Sequence, residues 1–178
     1  MKIETERLVL RDFVEDDWEV VHEYASDPDV VRFTRFGPNT EEETRAFIQR
    51  KLDEQQADPR THYGLAITLN PQCHLIGACG IEFKSADDRT AVMGYILNRD
   101  FWNKGYMTEA AKAMVEFGFS QLKLHRIYLE CDTENSASIR VAEKLGMRRE
   151  AHMMKNKWDK GEWRDSFLYA ILENEWQR

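Results

Sequence analysis

The chain has 178 residues, with 25 Lys and Arg against 32 Asp and Glu, a net charge of −7. Apolar residues make up 42 % and charged residues 32 %, enough apolar content to bury a core and too much for a disordered chain. The length suits one domain at roughly 150 residues per domain, taken as residues 1–178. An acidic balance argues against a general nucleic-acid binder, which carries a basic excess. It is compatible with cationic or amine partners, as it is with plain solubility.

Cys73, Cys79 and Cys131 form neither an even set nor a CxxC pair. With no signal peptide after Met1-Lys2-Ile3-Glu4, they point to a reducing cytoplasm. Residues Thr61 to Ile81 contain no Asp, Glu, Lys or Arg, yet Asn70-Pro71 places a turn signal in their middle. Two strands joined by a turn explain the run better than a membrane span. No metal site is expected, because Cys73, His74, Cys79, His125 and Cys131 lack zinc-ligand spacing.

In chain order, Arg7 to Phe13 reads as a first strand. Glu15 to Ala25 reads as a helix with Trp18, Val21, His22 and Ala25 at helical spacing, ended by Asp27-Pro28. A second helix follows Thr40, with Glu41, Glu42 and Glu43 at the positive end of its dipole, and runs to about Ala57. The period then changes to two. Tyr63 to Leu69, Leu75 to Phe83 and Ala91 to Leu97 read as strands.

Met107 to Leu122 is helical, with Ala111, Met114, Val115 and Gly118 on one face; His125 to Cys131 is a strand. Ser136 to Leu145 is a short helix ended by Gly146. Met147–Trp158 and Trp163–Leu172 close the chain across a Lys160-Gly161 turn. The element order β, α, α, β, β, β, α, β, α, β, β predicts a mixed α/β (α+β) sheet with helices on both faces. Trp158, Trp163 and Trp176 read as an aromatic cluster of the last hairpin.

Two segments carry chemistry. Asn98 to Ala110 joins a strand to a long helix, and its Gly105 leaves backbone N–H groups free to meet a phosphate or pyrophosphate. Lys104 adds positive charge and Thr108 a hydroxyl; the simpler alternative makes Thr108 an N-cap. The segment matches neither GxxxxGK[ST] nor GxGxxG. In the second segment, Asn135 is an N-cap candidate and Ser138 sits in the first turn of the following helix.

Taken together, these segments resemble the GNAT superfamily of acyl-CoA-dependent N-acetyltransferases, within it the ribosomal-protein-alanine acetyltransferase-like branch. The matching pieces are Thr5 to Arg11, Gly94-Tyr95-Ile96-Leu97 leading to Trp102 through Ala110, and Asn135 to Ser138 through Glu143 to Met147. The resemblance implies a single-domain, mostly antiparallel sheet with a splayed-strand cleft for acetyl-CoA. It implies that Asn103, Lys104, Gly105, Tyr106, Met107 and Thr108 hold the pyrophosphate. Ile96, Leu97 and Asn98 would pair with the pantetheine arm, Asn135 would contact it, and Ser138 would lie near the sulfur. The family's tyrosine four residues after Ser138 is replaced by Ala142, and a glutamate two residues before Gly94 by Val92. Met107 stands where a small residue is usual.

Acetyl transfer requires the amine to lose a proton, a donor for the thioester oxygen and protonation of the departing thiolate. Glu82 is the preferred base over His125 and Glu130, with an exposed carboxylate beside Lys84 as the alternative. Ser138 is the candidate acid, a backbone N–H near Ile96 or Leu97 the oxyanion donor, and Tyr95 reads as core. The expected activity is acetyl transfer to a primary amine, on a protein N-terminus or a small molecule. The alternative is a non-catalytic acyl-CoA-binding regulatory module. No nucleic-acid or membrane partner is expected, and the resemblance allows a homodimer.

Overall fold

The period-two segments pair in the order in which they leave the helices, and one eight-stranded sheet results. A computed structural model of the protein describes residues 1–176. Its strands are β1 (Lys2–Glu4), β2 (Leu8–Arg11), β3 (His62–Leu69), β4 (Leu75–Ser85), β5 (Thr90–Leu97), β6 (Arg126–Asp132), β7 (Arg148–Asp159) and β8 (Glu162–Leu172). Its helices are α1 (Trp18–Ala25), α2 (Glu41–Gln56), α3 (Tyr106–Ser120) and α4 (Ser136–Lys144). The sheet order is β1-β2-β3-β4-β5-β6-β8-β7, and every pairing is antiparallel except β5 with β6.

The expected elements return with shifts of a few residues, each with a local cause. Lys2–Glu4 forms a strand that the sequence does not announce, because only pairing to β2 defines it. The helix expected from Glu15 opens as a 3₁₀ turn over Glu15–Asp17. The start of α2 is fixed by a capping box: the Glu43 N–H donates to Thr40 Oγ1 at 3.2 Å, and Glu43 Oε2 accepts from the Thr40 N–H at 2.8 Å. Thr108 is not an N-cap. That position is Gly105, in the left-handed conformation at φ 80°, which places Thr108 inside the first turn.

Alternation along the sheet sorts two cores. On one face, Met114, Val115, Ala110 and Ala111 of α3 bury against Leu65, Ile81, Met93 and Ile127; each fully buried large side chain contributes about 2 kcal/mol. On the other face α1 and α2 cover less, with Phe13, Val21, Tyr24 and Ile48 packed on Ala66 and Leu75. The uncovered part of that face becomes a cleft. Trp158 and Trp163 pair edge to face across the last hairpin at 5.4 Å, but Trp176 packs on Phe119 and donates to Glu116. The tryptophans therefore form no single cluster. No helix among the described residues is long and apolar enough to cross a membrane.

Candidate active site

The parallel pairing of β5 with β6 covers only three positions, Thr90 with Arg126, Ala91 with Ile127 and Val92 with Tyr128. Beyond Val92 the strands separate, β6 following β8 while β5 stays with β4. The result is a wedge open at the C-terminal end of β5. Strand alternation decides which backbone groups face it. Arg89 C=O accepts from His125 N–H on the β6 side, and Asn98 N–H donates to Ile76 C=O on the β4 side. Met93, Tyr95 and Leu97 therefore turn their peptide groups toward the wedge.

Of the expected edge residues Ile96, Leu97 and Asn98, only Leu97 turns its peptide groups to the wedge. Ile96 turns its peptide groups back to β4. Asn98 has its N–H bonded to Ile76 and its Oδ1 accepting from Asp100 N–H at 3.1 Å, as the cap of a 3₁₀ turn over Arg99–Phe101. Of Leu97, the carbonyl already accepts from Trp102 Nε1 at 2.8 Å. The backbone edge that faces the wedge is Met93, Tyr95 and Leu97.

At the wide end of the wedge, α3 begins. Asn103 at φ 59° and Gly105 at φ 80° bend the chain into the left-handed region just ahead of it. The first N–H to bond back along the chain is that of Glu109, to Gly105 C=O. The N–H groups of Tyr106, Met107 and Thr108 thus point out of the helix start at its positive end, a donor set that fits a pyrophosphate. Asn103, Lys104 and Gly105 are exposed beside them. Lys104 Nζ donates to Asp100 C=O at 2.9 Å. The Met107 side chain is buried with the α3 core, so it does not narrow the loop; its contribution to the donor set is its backbone alone.

The N-terminal motif finds its reason here. Glu109 Oε1 accepts from the Thr5 hydroxyl at 2.6 Å and from Arg7 N–H at 2.9 Å, and Oε2 accepts from Arg7 Nε at 2.7 Å. Arg7 Nη1 also donates to Lys104 C=O at 3.1 Å. The turn between β1 and β2 is thereby tied to the loop through one carboxylate. Burial alone would raise the Glu109 pKa, but the Thr5 and Arg7 donors hold it below its ordinary 4.5. A carboxylate depressed on folding contributes stability that is present above 4.5 and lost as the pH falls through its lower folded value. Glu109→Gln is expected to cost on the order of 2 kcal/mol at pH 7 and nothing below the folded pKa. Thermal unfolding of both proteins at pH 7 and pH 3.5 checks this, and an undiminished gap at pH 3.5 would disprove it.

Near the apex, the Tyr95 hydroxyl lies 2.8 Å from Ser138 Oγ. Ser138 is buried in the first turn of α4, where Asn135 Oδ1 accepts its N–H at 3.0 Å. Asn135 acts as the cap of α4, leaving its amide nitrogen free for another acceptor. The Tyr95 pKa is pushed up by burial, so the phenol keeps its proton at neutral pH. Tyr95 is the residue that sequence reasoning placed in the core: its neighbours on that face are apolar, and only the packing of α4 reveals its partner. Ala142, one turn further along α4, is fully buried.

The acceptor side is a cleft of about 810 Å³ between α1, α2, the loop around residues 34–39 and the open face of β3, β4 and β5. Its floor is laid in three rows across the strands: His62, Glu82 and Val92; Gly64, Gly80 and Gly94; Ala66, Ala78 and Ile96. Glu82 therefore faces the cleft, as expected from its strand, with Lys84 Nζ at 2.5 Å and His62 Nε2 at 3.4 Å. Burial would raise its pKa, but Lys84 and His62 hold it below the ordinary carboxylate value. His62 is a second residue the sequence did not single out; only strand pairing brings it beside Glu82. His125 pairs with Glu173 at the surface, and Glu130 with Lys157.

The family comparison agrees with this geometry, since residues 7–148 match the model described as Acetyltransferase (GNAT) domain. The chain belongs to the GNAT family of N-acetyltransferases. It is 40 % identical over 177 residues to a Bacillus subtilis protein described as uncharacterized N-acetyltransferase YnaD, covering 99 % of each chain. The crystal structure of a GNAT-family acetyltransferase from Bacillus anthracis superposes with a TM-score of 0.88 at 39 % identity, covering 98 % of this chain and 100 % of that one. The same fold recurs in a spermidine N-acetyltransferase from Vibrio cholerae solved with CoA and spermine (TM-score 0.82, 19 % identity, coverage 96 % and 98 %). The chain is an acetyltransferase that uses acetyl-CoA.

Proposed function

We propose that the chain transfers the acetyl group of acetyl-CoA to a primary amine held in the cleft, by direct attack while both substrates are bound. The observation that carries this reading is the separation of β5 from β6 beyond Val92, which opens a backbone edge between an anion-binding helix start and a cleft with a carboxylate at its rim. Acetyl-CoA, when bound, supplies an activated thioester acyl group. The Tyr106–Thr108 amides are assigned the pyrophosphate, and the edge at Met93, Tyr95 and Leu97 is assigned the arm. A backbone N–H of that edge serves as donor to the developing oxyanion.

Glu82 receives the amine proton, directly or through a water, and passes it to solvent at the rim. The Tyr95–Ser138 hydroxyl pair protonates the departing sulfur. The proton that the pair gives to the sulfur is replaced from solvent through the open wedge, so the pair is neutral again once CoA has left as the thiol. Met107 no longer argues for a non-catalytic module, because its side chain belongs to the core, and the hydroxyl that Ala142 lacks is assigned here to the Tyr95–Ser138 pair. The positions assigned to acid and base are filled by Tyr95, Ser138 and Glu82.

Calorimetric titration with acetyl-CoA tests binding, and a panel of primary amines then tests transfer. Tyr95→Phe removes a hydroxyl while conserving the ring, and is expected to lower kcat about tenfold to a hundredfold with acetyl-CoA affinity preserved. Ser138→Ala should have a similar effect, and the double variant should cost little more than either single one, since the two act as a unit. Additive losses would show that they do not.

A further inference from the structure

The cleft carries a charge pattern opposite to that of the whole chain. Arg35, Arg50 and Lys51 line it, against two carboxylates, Glu43 and Glu82. Glu82, the base of the reading above, is already paired with Lys84 and His62, and one oxygen of Glu43 is committed to the backbone N–H of Thr40 at the start of α2. On the cationic side, Glu54 alone answers two groups, Lys51 at 2.6 Å and Arg50 at 3.8 Å. Arg35 has no hydrogen-bonding or ion-pair partner among the described residues.

The cleft also has a direction. Gly94, Gly80 and Gly64 stand in register on adjacent strands and share the cleft face. A Cβ on Gly94 would meet nothing within 4 Å, and one on Gly64 would lie 3.2 Å from Lys51 Nζ. A Cβ on Gly80, between them, would lie 2.8 Å from Gly64 Cα, so β3 and β4 approach closely there, and the row from Gly94 to Gly64 carries no side chain below Lys51. Two interstrand steps of about 4.8 Å make that path roughly 10 Å long.

We infer that the acceptor amine carries a carboxylate roughly 10 Å from its nitrogen, which Lys51 receives with Arg50 and Arg35 at the mouth. This rests on the acetyl-transfer reading above and narrows it. A polyamine in the same position would set a second ammonium beside Lys51, Arg50 and Arg35, with Glu43 the one lining carboxylate that no cation pairs among the described residues.

Triglycine, triglycinamide and spermidine discriminate. Extended triglycine places its carboxylate about 10 Å from its amine, and the amide differs only in losing that charge. The expected kcat/KM for triglycine exceeds that for triglycinamide by about tenfold, mostly in KM, with spermidine poorest. Lys51→Met should shrink the advantage to less than about threefold with acetyl-CoA affinity unchanged. Arg35→Gln with Arg50→Gln, both at exposed positions, should shrink it as well without disturbing the fold. Equal rates for triglycine and its amide, or a preference for spermidine, would overturn the anionic acceptor while leaving acetyl transfer intact. Transfer to none of the three by protein that binds acetyl-CoA would overturn the reading beneath it.

Discussion

Glu82→Gln is expected to lower kcat about a hundredfold while acetyl-CoA affinity stays within about twofold. The size is that of a lost general base, typically ~10²–10⁴-fold, taken at the low end because the site is open to solvent. Glu82 is 40 % exposed, so the substitution leaves no buried charge unpaired and the fold should be untouched. The pH profile adds a second readout. Lys84 and His62 hold Glu82 ionised below the ordinary carboxylate range, so its own titration is complete well before neutral pH. The rise of kcat/KM between pH 6 and 9 must then report the acceptor, whose ammonium loses its proton near 8 for an α-amine or about 10.4 for a lysine. Glu82→Gln should keep that slope and lower the whole curve. An unchanged kcat would return Glu82 to the rim as a surface carboxylate.

Gly105→Val is expected to raise the acetyl-CoA Kd by roughly thirtyfold or more. At φ 80° the backbone of Gly105 lies where an L-residue is strained, and a β-branched side chain is worse than most. Strain of this kind costs about 1–3 kcal/mol. Relaxing it would rotate the peptide ahead of Tyr106 and scatter the three N–H groups that now converge. A Cβ there would lie 3.4 Å from Arg7 Nη2, an ordinary contact, so the effect comes from the backbone and the tie through Glu109 is kept. At 1.4 kcal/mol per tenfold, a loss near 2 kcal/mol gives the stated factor. Thermal unfolding should change far less than affinity, since the loop is exposed. An unchanged Kd in a folded variant would mean that these amides do not hold the cofactor.

Much of this protein was legible in its sequence. The switch of hydrophobic period from 3.6 to 2 after Asp58-Pro59 separated the two early helices from the central strands. Thr40 followed by Glu41, Glu42 and Glu43 marked the start of α2, Gly146 marked the end of α4, and Lys160-Gly161 marked the last turn. These are local signals: caps, left-handed turns and side-chain alternation act within a few residues of chain, so they survive reading one residue at a time. The family resemblance was carried by Gly105 and its neighbours for the same reason, because a helix start that binds an anion is built from consecutive residues.

What the tertiary structure alone decided was everything that depends on two distant segments meeting. Alternation marked Tyr95 as core because its neighbours on that face are apolar, and only α4 brings Ser138 Oγ to its hydroxyl. His62 stood unremarked in an apolar run until pairing of β3 with β4 set it beside Glu82. Periodicity marked Ile96 and Leu97 as strand, but which of them faces the wedge depends on the hydrogen bonds that Asn98 and Arg89 make to β4 and β6. The three glycines of the cleft floor lie 16 and 14 residues apart in the chain and become a path only in register. Local sequence sets which conformation each segment prefers; the burial of one sheet between two unequal helical layers sets which side chains share a site.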